Sequence, residues 1–398
     1  MKCRIDSLDD FGRGITRINN KICFVKDAID GEVIDLEIVN EKKNYLVARV
    51  KEYIEKSDKR IKPKCKYYNI CGGCNLEHIS LKDEEKYKIK KIESILKKFA
   101  GINTSIEKIT SLNEYNYRNK VTLRVKNGKI GLLEENSHSF IEIDKCYLVV
   151  PKINEVIFKL KDIVKEEDGI SKIMIRTSND NHIVMIKIEG KVRNLSNFKS
   201  ICDSLIVNDK VIKNEFIESA ILDKRFYVSS NSFFQINKDI VEAMYKRIIE
   251  IIKKKSSYKV LDLYCGVGTI GICVSNYVDQ VLGIEVVRES VDSAFKNKEL
   301  NNVNNISFKC GKVEDIIDAK LMNFDTIIVD PPRAGIEKSA IEVLNNSKAQ
   351  NIIYVSCDPV TLARDIKNLD NYELKEIELF NMFPRTYHCE SIAVLERK

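Results

Sequence analysis

Apolar residues change their spacing along the chain, and each change predicts a different architecture. Through residues 1–55 they come in short runs, ITRI (15–18), KICFV (21–25), EVIDLEIV (32–39) and YLVARV (45–50), punctuated by Gly12, Gly14 and Gly31. Short strand-forming runs broken by glycine predict a small N-terminal β-barrel of OB-like size. The polar stretch EKSDKRIKPK (55–64) then predicts a connector. Ser80 with Asp83 forms a capping pair, Tyr87, Ile92, Ile95, Leu96 and Phe99 recur at helical spacing, and Gly101 ends the pattern, so 81–100 reads as helix. From 117 to 228 the runs VTLRV, KIGLL, IMIRT and HIVMIKI prevail, which predicts an α+β region.

A third regime opens with an amphipathic helix at 239–255, carrying Val241, Met244, Tyr245, Ile248, Ile249 and Ile252 on one face. Beyond it, continuous apolar strands alternate with helical lengths: KVLDLY (259–264), QVLGIE (280–285), FDTIIVD (324–330) and NIIYVS (351–356). Strands without polar alternation are buried on both faces, so the C-terminal region is expected to be α/β, a doubly wound parallel sheet. The expected division is therefore 1–55, 56–230 and 231–398.

Composition narrows the classes. A chain of 398 residues with 44% apolar content can fill two or three cores of about 150 residues each. No run approaches the ~20 uncharged apolar residues of a membrane span, and MKCRIDSLDD carries charge where a signal peptide would be apolar. A soluble cytoplasmic protein without membrane partners is the expectation. Twelve cysteines in such a chain argue for thiols, metal ligands or catalysis over a disulfide framework. Net charge is +7, but residues 51–130 hold 20 basic against 10 acidic residues while 1–50 balance at nine each. A basic block suits a polyanion such as RNA; a lysine-rich solvated face is the plainer alternative.

Four placements suggest chemistry. DLYCGVGTIG sets Gly266, Gly268 and Gly271 as G-x-G-x-x-G directly after a strand, and Glu285 ends the next strand where a carboxylate can hold a ribose. That loop fits S-adenosylmethionine (SAM) or NAD; Asp262 ahead of it favours SAM. Asp330 closes a third strand before Pro331 and Pro332, which force a stiff extended exit. Cys357 follows a fourth strand in SCDP. All four positions fall at strand carboxyl ends, where doubly wound sheets collect ligands. A thiol gives a methyltransferase one specific option. Carbon 5 of uracil is a weak nucleophile until a thiolate adds to carbon 6; afterwards a base must remove the carbon-5 proton.

Elsewhere Cys65, Cys71 and Cys74 form C-x5-C-x2-C around Gly72-Gly73, with Cys146 as a distant fourth candidate ligand. Four thiolates suit zinc or a [4Fe–4S] cluster. Cys3, Cys23, Cys202, Cys265, Cys273 and Cys310 read as packing residues.

N-S-F-F-Q-I-N (231–237), D-L-Y-C-G, D-P-P-R-A-G, S-C-D-P and F-P-R-T-Y-H-C-E-S (383–391) together resemble the RNA uridine-5-methyltransferases, in order and spacing, over nearly the whole chain. The resemblance implies a C-terminal class I SAM-dependent methyltransferase domain of Rossmann-like fold. Cys357 would be the nucleophile and Glu390 the base; Gln235, Tyr264, Glu285 and Asp330 would line the cofactor and base pocket, and Arg333 would help to shape it. His388 rivals Glu390, since the two would share a face if their segment is a strand. Cys389 departs from the family pattern, which expects an apolar residue. The branch carrying the same four cysteines resembles a [4Fe–4S] protein, and G-R-G-I-T-R (12–17) with D-G-E-V (30–33) is similar to the TRAM module, an RNA-binding barrel. Those two features point to 23S ribosomal RNA as substrate; a monomeric enzyme is expected. Transfer RNA, 5-methylcytosine formation and a non-enzymatic iron–sulfur RNA-binding protein are the competing readings.

Overall fold

The computed structural model describes residues 1–135, 137, 139–317 and 323–398. The chain divides into two compact units: Met1–Lys91, Leu132–Ile143 and Phe383–His388 form the first, and Ile92–Gly131, Asp144–Met382 and Cys389–Lys398 the second.

In the first unit the apolar runs become β1 (Lys2–Arg4), β2 (Ser7–Leu8), β3 (Gly14–Ile18), β4 (Lys21–Lys26), β5 (Val33–Glu41) and β6 (Tyr45–Glu55), one sheet in the order β1-β5-β6-β4-β3-β2. Alternate residues turn inward, so Ile18, Cys23, Val25, Ile34, Leu36 and Leu46 make its core. The polar stretch 55–64 does not behave as a spacer. Arg60 is nearly buried and gives Nε to Glu32 Oε1 at 2.6 Å and a second nitrogen to Glu32 Oε2 at 2.8 Å. Lys59 pairs with Asp30 at 2.7 Å. Residues 56–91 accordingly pack with the first sheet, because these cations find their counter-charges there.

Helix α1 (Leu81–Ile95) begins as expected, with Ser80 Oγ accepting the Asp83 N–H at 3.1 Å. It continues to Ala100 as expected, but with a change of winding. Leu96–Ala100 widens into a π-turn stopped by Gly101 in the left-handed region, and Phe99 is exposed where the periodicity had placed it inward.

The second unit holds a sheet with β7 (Lys120–Lys126), β8 (Ile170–Thr177), β9 (Val184–Gly190), β10 (Ser204–Val207) and β11 (Lys210–Lys213) in that order. A hairpin, β12 (Phe216–Ile221) with β13 (Lys224–Ser229), follows. Helix α2 (Lys238–Lys254) buries Ile240, Val241, Met244, Tyr245, Ile248, Ile249, Ile251 and Ile252. Each such large aliphatic taken from water contributes about 1.5–3 kcal/mol.

The C-terminal sheet contains β14 (Lys259–Leu263), β15 (Gln280–Glu285), β16 (Ile306–Cys310), β17 (Thr326–Val329), β18 (Asn351–Ser356), β19 (Tyr372–Phe380) and β20 (Glu390–Arg397), ordered β16-β15-β14-β17-β18-β20-β19. It is an α/β sheet as expected, but not wholly parallel. β20 runs antiparallel to both β18 and β19, since the short segment after β19 makes a hairpin where a crossover helix would be needed for a parallel return. No helix among the described residues is long and apolar enough to cross a membrane.

Candidate active site

The reversed strand explains how Glu390 joins a rim otherwise made of strand carboxyl ends. Glu390 is the first residue of β20, and the register pairs Ser356 with Ser391. The residue after Ser356 is Cys357, so thiol and carboxylate leave the same end of adjacent strands. Asp358 caps helix α3 (Pro359–Asn368) by accepting the Val360 and Thr361 N–H groups at 2.9 and 3.0 Å, with Pro359 preset at the first turn. S-C-D-P is thus a strand end, a thiol and a helix start in four residues.

Four groups share one electrostatic field. Burial pushes the half-buried Cys357 thiol up to about 12, with Glu390 and Asp330 adding to the rise and Arg333 opposing it. Burial holds the Glu390 carboxyl well above the usual carboxylate range; Asp330 adds to this and Arg333 again opposes it. Asp330 itself is raised to about 7 by burial. Asp358 gives Cys357 no help, because its carboxylate occupies the helix N–H groups that would favour a thiolate.

The loop bearing Arg333 is braced from behind. Gly335 closes a turn onto the Pro332 carbonyl at 2.8 Å, and the buried Asp365 accepts the Ile336 N–H and the Tyr354 hydroxyl, each at 2.8 Å. A side chain at Gly335 would meet the Arg364 and Asp365 side chains at 2.4–2.5 Å. Asp365 and Tyr354 were not legible beforehand, since neither lies within a recognised motif.

The cofactor loop departs from β14 at Tyr264, a non-glycine residue with φ of 61°. Such backbone is costly and persists only where the surroundings impose it. Burial raises the Tyr264 phenol to about 12, with Glu314 and Glu337 adding. Gly268 has φ of 82°, and a Cβ there would come within 2.8 Å of the Phe308 ring. Gly271 donates its N–H to the fully buried Asp262 at 2.9 Å. Burial lifts Asp262 to about 8, with Asp330 and Glu285 adding. Glu285 accepts the Gly266 N–H at 3.1 Å and the Val287 N–H at 2.9 Å, which leaves carboxylate lone pairs for a ribose. Space beside Gly266 is open to 4 Å. Open backbone, spare carboxylate acceptors and a buried Asp262 Oδ1 without a partner among the described residues fit SAM.

Gln235 stands apart on the loop before α2, where its carbonyl accepts from Asn119 Nδ2 at 3.1 Å. That loop is anchored by Arg176, nearly fully buried, which donates to the Ser229 and Ser232 carbonyls at 3.0 and 3.1 Å. His388 does not share a strand face with Glu390. The strand starts at Glu390, and His388 belongs to the first unit, its ring 4.4 Å from Tyr387 and 5.8 Å from Phe383. Cys389 is buried, which removes it as a competing exposed thiol.

Phe383–His388 is held in the first unit by charge. Lys88 and Glu84 pair at 2.8 Å with side chains 1% and 0% exposed, and Lys88 also donates to the Phe383 carbonyl at 3.1 Å. Arg385, with φ of 68°, gives its backbone N–H to Glu84 at 2.9 Å and its guanidinium to the Ile79 carbonyl at 2.7 Å. The arginine of F-P-R-T-Y-H is therefore an anchor for the segment preceding Glu390.

The expected metal ligands are not assembled in this way. Cys65, Cys71 and Cys74 lie in the first unit and Cys146 in the second; none is in a disulfide, and all are half-buried. Thiol donors suit zinc or iron–sulfur, but among the described residues no group of three His, Cys, Asp or Glu side chains is placed to hold a metal. Of the thiols read as packing, Cys23, Cys202, Cys265 and Cys273 are buried, and Cys3 and Cys310 are half-buried.

Residues 199–398 match the family model of tRNA (uracil-5-)-methyltransferases. An uncharacterised RNA methyltransferase of Clostridium tetani is 34% identical, over 96% of this chain and 93% of its own. The 23S rRNA (uracil(1939)-C(5))-methyltransferase of Legionella pneumophila is 30% identical, over 99% and 96%. The structure of the Pyrococcus abyssi tRNA (uracil-54, C5)-methyltransferase with S-adenosyl-L-homocysteine superposes with a TM-score of 0.84 at 29% identity, over 99% of both chains.

Proposed function

The chain belongs to the tRNA (uracil-5-)-methyltransferase family, and on that premise we propose that it methylates carbon 5 of a uridine in 23S ribosomal RNA through a covalent Cys357 adduct. It is a SAM-dependent RNA uracil-5-methyltransferase. The observation that carries the mechanism is the register that sets Cys357 and Glu390 at the same end of adjacent strands, with Asp330 and Arg333 acting on both.

SAM, held by the Gly266 loop and Glu285, supplies the methyl electrophile when bound. Cys357 adds to carbon 6 of the flipped base, which makes carbon 5 nucleophilic. After methylation Glu390 removes the carbon-5 proton, and the thiolate is expelled. The base needs its carboxylate form and the nucleophile its thiolate form, and both are disfavoured by burial. Arg333 favours both anions at once. Its role is to hold that pair of charges while Asp330 and Tyr264 line the pocket. Gln235 is carried into the pocket role by the family resemblance.

Similarity to the Legionella enzyme along nearly its full length supports 23S RNA. Transfer RNA is the second reading, supported by the Pyrococcus structure. A [4Fe–4S] cluster on Cys65, Cys71, Cys74 and Cys146 is carried by the family resemblance, since four thiols alone suit zinc equally, and the TRAM-like module over 1–55 is carried by the resemblance of G-R-G-I-T-R and D-G-E-V. A monomeric, cytoplasmic enzyme completes the reading. Anaerobically purified protein should carry about four irons per chain; stoichiometric zinc or no metal would overturn the cluster.

The deciding experiment measures methyl transfer from labelled SAM into 23S RNA and transfer RNA from a strain lacking the gene. Label as 5-methyluridine in 23S RNA supports the proposal; label in transfer RNA alone moves the substrate, and 5-methylcytidine moves the base. Glu390→Gln should accumulate an enzyme–RNA adduct that survives denaturing electrophoresis. If His388→Ala traps it and Glu390→Gln turns over normally, the base is His388.

A further inference from the structure

The first unit carries a ladder of flat groups that the mechanism does not use. Tyr45 and Phe24 lie ring to ring at 5.7 Å, the Arg13 guanidinium sits 4.3 Å from the Phe24 centroid and 5.3 Å from that of Phe11, and Phe11 meets Tyr387 edge-on at 5.3 Å. Phe11 is 53% exposed and Tyr45 38%. A phenylalanine left half in water on a loose loop would ordinarily fold back. This one is held out. Asp9 accepts the Phe11 N–H at 2.9 Å, the Arg13 N–H at 2.8 Å and Arg13 Nε at 2.7 Å, and Tyr87 donates to the Asp9 carbonyl at 2.8 Å. Lys91 ties the same loop to the segment before the base, donating to the Asp10 carbonyl at 2.7 Å and the Tyr387 carbonyl at 3.0 Å.

We infer that Phe11, with Arg13 and Tyr387 at its sides, is a stacking subsite for an unpaired nucleobase of the substrate RNA, distinct from the base that is methylated. The inference rests on the RNA reading above and adds a second contact to it. Every base has a π-face, so an exposed ring takes bases without regard to sequence, and Arg13 beside Phe11 and Lys91 over Tyr387 bring positive charge toward the phosphates. Fixed geometry matters because a ring already in place loses little freedom when a base settles on it. Tyr387 lies three residues before Glu390 in the chain, so occupancy of this subsite bears on the segment that leads into the base.

The test compares binding of the full chain, with S-adenosylhomocysteine added, to a uridine oligoribonucleotide of about 12 nucleotides and to the same ribose-phosphate chain without bases. Wild-type protein should prefer the base-bearing strand about tenfold. Phe11→Leu keeps apolar bulk but removes the π-face, and should lose most of that preference while S-adenosylhomocysteine affinity and melting temperature stay unchanged. Phe158→Leu, an exposed aromatic elsewhere, should keep it. Full preference in both Phe11→Leu and Phe11→Ala would overturn the subsite, as would equal weakening toward both strands, which marks a backbone contact. If the wild type methylates RNA but Phe11 variants bind normally, only this inference falls; if the wild type methylates no RNA, the functional reading fails first.

Discussion

Glu84, Lys88 and Arg385 in the first unit and Cys357, Glu390 and Asp330 in the second are two sets of ionisable groups under opposite rules, the first buried throughout and the second buried at Glu390 and half-buried at Cys357 and Asp330. The first set mixes signs: one carboxylate faces an ammonium at 2.8 Å and a guanidinium at 3.7 Å. The second sets acids beside acids, with the exposed Arg333 as the opposing cation. Opposite charges offset most of each other's desolvation, and the result is an anchor. Like charges add to it, so each group holds its proton above its ordinary range, and the carboxyls and the thiol become sensitive to the cation beside them. The same cost of burial is thus spent on shape in one place and on reactivity in the other.

Breaking the reactive set should have the largest effect. Cys357→Ala should lower methyl transfer by about 10⁴-fold or more and form no covalent RNA complex, with SAM affinity retained. Filter-binding with labelled SAM and a product count on the same preparation check both halves.

The anchor should respond in stability. Glu84→Ala leaves two cations buried without their carboxylate and should cost about 3–5 kcal/mol, read as a lower urea midpoint. Lys88→Met combined with Glu84→Gln should recover part of that loss. If the single variant melts like wild type, the three charges are not the anchor described.

Arg333→Gln should reduce turnover about 10–100-fold at pH 7 and move the alkaline rise of the rate to higher pH, because the thiol and the base both lose the cation that favours their anions. An unchanged pH profile would leave Arg333 a purely steric role.

The smallest effect distinguishes the sets by sign. Asp330 and Glu390 have native pKa values above those of the unfolded chain. Between about pH 4 and 7 the native state therefore binds more protons than the unfolded state, and stability falls as pH rises. Asp330→Asn should flatten that fall and raise the melting temperature by about 2–4 °C at pH 8, while impairing catalysis. A variant that melts lower at pH 8 would contradict the assignment.

Much of the second unit was legible in the residue order. Continuous apolar strands, the Gly266–Gly271 loop and the strand-end positions of Glu285, Asp330 and Cys357 all appear where the pattern placed them. The direction of β20 was not, because a strand's apolar pattern is the same read either way. The connector at 55–64 misled for a related reason: a charged stretch looks solvated until Glu32, Asp27 and Asp30 are found beside it.

Local pattern by itself determined which residues end strands, start helices and carry chemistry, since those choices depend on neighbours within a few positions. Only the tertiary structure decided that Cys357, Glu390 and Asp330 share one field, that Arg385 serves as an anchor and that Phe11 is held in the open. Burial and through-space charge depend on residues far apart in the chain, and it is these that separate a carboxylate set beside other acids from one paired with cations.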